Sequence, residues 1–345
     1  GYLYGRVGED HFVVIADEAT FNEEYLYECR ETLQNVLSDS VYNVRVCFGI
    51  YRTDNMNESL SFMCDKASFA VASIKDDTHS FIAYYDDTML EAAIKYKTIV
   101  DEFDDAIKAG EFKMYLQPQI SAKTRRLTGA EALVRRIKPD GTIISPIDFI
   151  PVYEKSGLIS RLDRYIWEQA AAKLGEWKKA GINMSISVNI SPKDFYYIDI
   201  FNTFAGLIKK YDIEPSNLKI EITETTIMSD VPNLMGELEE LRKAGFTLEM
   251  DDFGSGYSSL NTLKDINVDV LKVDMGFIKE TKNVKKSRII LASVIKMAKE
   301  LNLLIITEGV ETEEQVDNLT KLGCDVFQGY YFSKAIDVNE FEKRY

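Results

Sequence analysis

From residue 112 onward the chain repeats one pattern: a short run of apolar or β-branched residues, followed in most cases by a helical stretch. The runs are KMYLQPQI, LTGAEALV, MSISVNI, LKIEIT, FTLEM, VLKVD, LLIITEG and VFQGYYF. Segments such as RLDRYIWEQAAAKLGEWKKAG, LMGELEELRKAG and RIILASVIKMAKELN lie between them. Eight strands alternating with helices predict an α/β fold of the (β/α)8 TIM-like barrel type. An open doubly wound sheet is the rival, but no GxGxxG turn follows the first strand.

Residues 1–87 read as a smaller mixed α+β domain. Short strands are predicted at Phe12–Ile15, Val44–Ile50 and Phe81–Tyr85, with helices around Glu23–Leu37 and Asn57–Ser73. Residues 88–110 carry apolar residues at helical spacing, contain no proline and end at Gly110. That spacing predicts one helix linking the two domains, and the barrel domain then occupies 111–345.

Composition narrows the chemistry. The net charge is −15, so no surface for the phosphate backbone of DNA or RNA is expected. Only two histidines occur, His11 and His79, both near the start. The barrel therefore has no histidine base, relay or metal ligand, and its chemistry must come from carboxylates, amides, Lys, Arg and bound metal. Cys29, Cys47, Cys64 and Cys324 show no CxxC spacing, which fits scattered thiols in a reducing cytoplasm. No apolar run approaches the roughly 18 residues of a membrane helix, and the start carries no signal-peptide pattern. A cytoplasmic location is expected; because the chain opens with Gly1, anchoring by a segment upstream stays open.

Polar residues recur in or just after the apolar runs. Glu131 lies in GAEALV, Asn189 ends SVN, Glu221 and Glu224 lie in KIEITE, and Asp251 and Asp252 end LEMDD. Lys272 and Asp274 lie in LKVD, Glu308 ends IITE, and Gln328 lies in VFQGYY. Taken singly, each reads as a solvent-facing strand residue or a loop cap. Their recurrence on successive strands is what matters. Burying one unpaired carboxylate costs several kcal/mol, so a group of them requires cations. In a parallel barrel the C-terminal strand ends converge on one mouth, where active sites form. There Glu131, Asn189, Glu221 and Asp251 offer oxygen ligands to a hard divalent ion, Mg²⁺ or Mn²⁺, and Asp252 offers one to a second ion. Two bridged dications activate water and stabilise phosphoryl oxygens, so metal-assisted phosphoester hydrolysis leads the reaction classes. A Mg²⁺ barrel enzyme acting on a carboxylate substrate is the alternative.

The stretches YLQPQI, GAEALVR, SVNIS, IEITE, DDFGSGYSSL, LKVD, EGVE and QGYYFSK, in this order, resemble those of the EAL domain family of cyclic di-GMP phosphodiesterases. The resemblance spans about 95 to 345. It implies a barrel with one antiparallel strand that linearises cyclic di-GMP to pGpG with two Mg²⁺ or Mn²⁺ ions. It further implies that Glu131, Asn189, Glu221, Asp251 and Asp252 are metal ligands. Lys272 matches a base or water-orienting group supported by Glu308, and Gln328 a positioning amide. Gln117, Leu133 and Arg135 match substrate contacts. Glu224 matches the glutamate that holds the loop 253–260, whose Gly254 and Gly256 suit a sharp turn. Beside two dications the Lys272 pKa should fall, allowing it to accept a proton; equally, it could orient a hydroxide and stabilise charge. Family members also form homodimers through this domain, and some bind cyclic di-GMP without cleaving it. Two departures stand out. Arg136 replaces a usual Trp, where it is expected near the mouth with an effect on substrate affinity, and Glu249 replaces a small or apolar residue.

Residues 1–87 resemble the C-terminal half of a GGDEF domain, the diguanylate cyclase fold, through RVGEDHF, VCFGI and MCDKASFAVASIKDD. The signature is damaged: Glu9 replaces the second glycine and His11 an acidic residue, leaving Asp10. No cyclase activity is expected. The domain is read either as a structural partner or as a module that tunes the barrel by binding GTP.

Overall fold

The computed structural model describes every residue except 1, 9, 38–44, 54, 56, 76, 78, 230, 232, 254–262, 264, 265 and 276–283, and the side chains of 284 and 285. Gly254, Gly256 and the loop 254–260 therefore lie outside the described residues, as does Glu9. Two compact units are present, Gly1–Asp101 and Glu102–Tyr345. Among the described residues, no helix is long and apolar enough to cross a membrane.

The first unit holds an antiparallel hairpin of β1 (Leu3–Arg6) and β2 (Phe12–Ile15). It also holds a parallel pair, β3 (Phe48–Ile50) and β4 (Ile82–Tyr84). Helices span Glu24–Leu37, Leu60–Ser73 and Asp87–Asp101. Ser59 caps the second of these by accepting from Phe62 N at 3.3 Å. β1 has no counterpart in the sequence reading, and β3 is shorter than the run begun at Val44. The single helix expected over 88–110 is two helices, Asp87–Asp101 and Phe103–Ala109, interrupted at Glu102. Gly110 ends the second in a left-handed conformation, φ 65°.

The second unit is a closed barrel. Its strands are β5 (Phe112–Ser121), β6 (Leu127–Ile137), β8 (Ser185–Ile190) and β9 (Leu218–Thr223). They continue with β10 (Leu248–Phe253), β11 (Val270–Asp274), β12 (Leu304–Glu308) and β13 (Val326–Phe327). The ring order is β5-β13-β12-β11-β10-β9-β8-β6, and β6 pairs back onto β5. β5 runs antiparallel to both its neighbours, whereas the other pairs around the ring are parallel. The implied single antiparallel strand is thus β5. Two short strands, β7 (Ile143–Ile144) and β14 (Ile336–Asp337), extend β6 and β5.

Strand alternation separates two environments. Ile186, Val188, Ile190, Leu218, Ile220, Ile222, Leu248, Met250, Leu271 and Val273 are buried on one alternation, toward the helices. Trp167 of the helix Ile159–Lys179 packs against Phe204, ring centroids 4.8 Å apart, and its Nε1 donates to Asn189 O at 2.9 Å. Fully burying one such large side chain contributes about 1.5–3 kcal/mol. The opposite alternation (Ser187, Asn189, Lys219, Glu221, Glu249, Asp251, Lys272) faces the barrel axis. The barrel interior here is polar, so the helical shell carries the apolar packing.

This alternation corrects the reading of Arg136. Glu131, Leu133 and Arg135 share the inner face of β6, so one further step turns Arg136 outward. It is buried with Nη2 2.7 Å from Glu102 Oε2 and Nε 2.9 Å from Glu111 Oε2, its guanidinium 5.7 Å from the Phe112 ring centre. It is not at the mouth. The run VFQGYYF also yields less strand than expected. Gly329 approaches the segment after β12 so closely that a Cβ would sit 2.2 Å from Val310 O, and the chain leaves the sheet there.

Candidate active site

The centre of the polar interior is Lys272. β11 carries it into the barrel with no exposure to solvent. Its Nζ lies 2.9 Å from Glu221 Oε2, 2.9 Å from Glu308 Oε1, 3.3 Å from Asp251 Oδ1 and 3.4 Å from Glu131 Oε2. Four strands therefore deliver four carboxylates to one ammonium. The stagger of the ring explains why these residues meet. Glu131 is opposite Ser187 on β8, but Asn189, two residues on, is opposite Glu221. Glu221 is opposite Glu249 on β10, and Asp251, two residues on, joins the group.

An amide layer closes the β5 side. Gln328 Nε2 donates to Glu131 Oε2 and, at 3.3 Å, to Gln117 Oε1. Gln119 Nε2 in turn donates to Gln328 Oε1 at 3.2 Å, and Asn189 Nδ2 to Glu131 Oε1 at 3.4 Å. Above this layer opens a cavity of about 420 Å³, lined among others by Gln117, Glu131, Leu133, Asp251, Glu308 and Gln328.

The charges do not balance. Burial pushes the Glu308 carboxyl up to about 8, with Asp251 and Glu131 adding to the rise against Lys272. Burial and then Glu131 raise Glu221 well above the ordinary carboxylate value, again against Lys272. Burial, then Asp251, raise Asp252. At Lys272 burial acts to lower the pKa, but Glu131, Glu221, Glu308 and Asp251 outweigh it and raise it well above the usual value. The carboxylates alone thus drive Lys272 opposite to the fall expected beside two dications. Its ammonium is held charged.

Neither carboxylate oxygen of fully buried Glu221 has a hydrogen-bond partner, although Lys272 Nζ stands beside one of them. The donor set around it is all oxygen: carboxylates of Glu131, Glu221 and Asp251 and the amide of Asn189. That chemistry suits a hard dication and excludes a soft one. Among the described residues, no three acidic side chains already converge as a ready metal cage; they surround the ammonium instead. The donor types fit, and side-chain rotation about the strand ends is what convergence requires.

Asp252 sits at an irregularity between Met250 and Phe253, with φ 55°. Left-handed backbone at a non-glycine residue is strained and concentrates at functional sites. Its backbone N donates to Asp251 Oδ1 at 2.9 Å, tying the two aspartates together. Gln117 and Leu133 line the cavity. Arg135 lies further along β6, its guanidinium 5.8 Å from the Tyr115 ring centre and Nη1 donating to Val134 O at 2.7 Å. Glu224 is buried at the start of the helix Glu224–Met228, where Thr223 accepts from Thr226 N at 3.2 Å; the loop it is expected to hold lies outside the described residues.

Gln119 and Lys219 have no place in the sequence reading, which names Glu249 only as a departure from the family pattern. Gln119 is 1% exposed and fixes Gln328; its position two residues after Gln117 on one strand was the available signal. Below the carboxylate cluster, Glu249 and Lys219 form an ion pair of 2.9 Å. Burial pushes the Glu249 carboxyl up, but Lys219 and Lys272 together hold it below the ordinary value.

Residues 100–335 match the model of the EAL domain family. The chain is 31% identical over 344 residues to the signaling protein YkoW of Bacillus subtilis (strain 168), covering 98% of this chain and 43% of YkoW. It is 29% identical over 342 residues to the bifunctional diguanylate cyclase/cyclic di-GMP phosphodiesterase MucR of Pseudomonas aeruginosa, covering 97% of this chain and 50% of MucR. The chain thus spans about half the length, or less, of these curated relatives. A solved structure described as PaMucR phosphodiesterase in complex with c-di-GMP superposes with a TM-score of 0.66 at 32% identity, over 71% of this chain and 99% of that one.

Proposed function

The chain belongs to the EAL domain family, and on that premise we propose that it is a metal-dependent phosphodiesterase hydrolysing cyclic di-GMP to linear pGpG. One observation carries the reading: four carboxylates crowd a single ammonium at the mouth of the barrel, an excess of negative charge that two Mg²⁺ or Mn²⁺ ions would balance. The name of MucR and the ligand of the PaMucR structure supply the substrate class.

Glu131, Asn189, Glu221 and Asp251 would hold the ions, with Asp252 serving the second. When bound, such ions supply Lewis-acid activation of water and of phosphoryl oxygens. The chain's own residues do the remaining work. Lys272, surrounded by Glu221, Glu308, Asp251 and Glu131, either orients the attacking water and stabilises charge developing on the phosphate or accepts a proton from that water. Glu308, 2.9 Å from the Lys272 Nζ, supports it in that role. Gln328, braced by Gln119 and Gln117, positions the reacting group against Glu131. Gln117, Leu133 and Arg135 contact the dinucleotide, and Glu224 holds the loop after β10.

Residues 1–87 are proposed to be a GGDEF-like unit without cyclase activity, acting as a structural or GTP-responsive partner in a cytoplasmic signalling protein. A homodimer through the barrel belongs to the same proposal. The test is incubation with cyclic di-GMP and Mg²⁺ or Mn²⁺, with an EDTA control, and identification of the product. Linear pGpG formed only with metal is expected. Binding without cleavage would make the chain a silent cyclic di-GMP receptor. Hydrolysis that ignores millimolar GTP would leave the first unit a structural role.

A further inference from the structure

One layer beneath the carboxylate cluster, the barrel interior contains a second set of charges. Glu249 is fully buried and sits opposite Glu221 in the β9–β10 register, its carboxyl facing that of Glu221. Its Oε1 lies 2.9 Å from Lys219 Nζ, and its Oε2 accepts from Ser187 Oγ at 2.8 Å. Ser187 is itself fully buried, and Lys219 is only 19% exposed. Both oxygens of Glu249 are therefore committed, and the carboxylate is held at one place under Glu221.

Such a pair is poorly explained by stability. Two charges removed from water lose about as much in desolvation as they gain from each other, and a well-packed apolar pair of equal volume is as stable or more so. Barrel interiors are ordinarily filled by branched apolar side chains. Here Lys219 and Glu249 instead place opposite charges directly under Glu221, whose oxygens accept no hydrogen bond and one of which lies 2.9 Å from the Lys272 ammonium.

We propose that Glu249 and Lys219 are positioning residues that set the affinity of the site for its divalent ions, Glu249 strengthening it through Glu221 and Lys219 restraining it. This rests on the metal reading above. The sign follows from charge alone. Removing the Glu249 charge leaves an uncompensated ammonium under Glu221 and weakens dication binding. Removing the Lys219 charge leaves an uncompensated carboxylate and tightens it.

The test is Mn²⁺ binding by calorimetry on the full chain, without substrate, for wild type, Glu249→Gln, Lys219→Met and the double variant. Glu249→Gln is expected to weaken Mn²⁺ binding by about tenfold or more and Lys219→Met to tighten it in the opposite sense, as a unit charge acts on a dication across a partly screened interior. The double variant is expected to return close to wild type. A merely structural pair would shift both single variants the same way, or neither, and either result overturns the inference. Should Lys219→Met fail to fold, Glu249→Gln decides alone: weaker binding supports the proposal, and unchanged or tighter binding overturns it. Wild-type protein that takes up no Mn²⁺ overturns the metal reading and this inference together; wild-type uptake with unshifted variants overturns this inference alone.

Discussion

Replacing Lys272 by Met removes the ammonium that faces Glu221, Glu308, Asp251 and Glu131, at 2.9, 2.9, 3.3 and 3.4 Å, while nearly preserving side-chain volume. A single pair at about 4 Å attracts by about 4 kcal/mol near a protein surface, but desolvation of a fully buried ammonium offsets much of the sum. Breaking a buried ion pair by deleting one partner costs about 3–5 kcal/mol. For a unit of this size that corresponds to a fall in Tm of about 10 °C, measured by scanning calorimetry in EDTA. Manganese should recover more of the lost stability in the variant than it adds to wild type, because the carboxylates then lack the Lys272 ammonium. Turnover of cyclic di-GMP at saturating substrate and Mn²⁺ should drop about 10²- to 10⁴-fold, the range for a group acting on the reacting atoms, while substrate affinity is retained. Turnover within about threefold of wild type would remove Lys272 from the reaction. An unchanged Tm in EDTA would refute the charge imbalance itself.

The remaining predictions concern pH, the outer shell and one close approach. Glu308 titrates near 8 in the folded protein against an ordinary value of 4.5, and Glu221 is raised in the same direction, so the unfolded chain gives up these protons first. The contribution of these two groups to stability in EDTA is therefore full below about 4.5 and is lost as pH rises through about 8, and saturating Mn²⁺ should flatten that decline; a metal-free Tm that climbs through about 8 would contradict the shifts. Arg136→Met should destabilise the barrel unit by about 1–3 kcal/mol, by leaving Glu111 and Glu102 without their guanidinium, yet leave KM unaltered. A changed KM at unchanged Tm would return Arg136 to the mouth. Gly329→Ala should cost about 1–3 kcal/mol through the forced contact with Val310 O, seen as a lower midpoint in urea.

Local sequence was most informative where strand and site coincide. β9 and β11 span the same residues as the runs LKIEIT and VLKVD, because apolar residues toward the helices alternate there with Glu221 and Lys272 toward the axis. The interruption at Glu102 was not legible: neither proline nor glycine marks it, and the Glu102 side chain is tied to Arg136, distant in sequence. The Lys272 cluster could be named as residues but not as a four-way contact, since which carboxylates meet depends on barrel closure and stagger. Gln119, Lys219 and Glu249 were available from alternation alone. Each lies two residues from a recognised site residue on the same strand, and so on the same face.

The most direct measurement is anomalous diffraction from a crystal soaked with Mn²⁺ and a cyclic di-GMP analogue resistant to cleavage. Two manganese peaks among Glu131, Asn189, Glu221, Asp251 and Asp252 are the expected result, with Lys272 Nζ turned toward the phosphate. Dinucleotide seated in the barrel mouth with no manganese peak beside those side chains would contradict it.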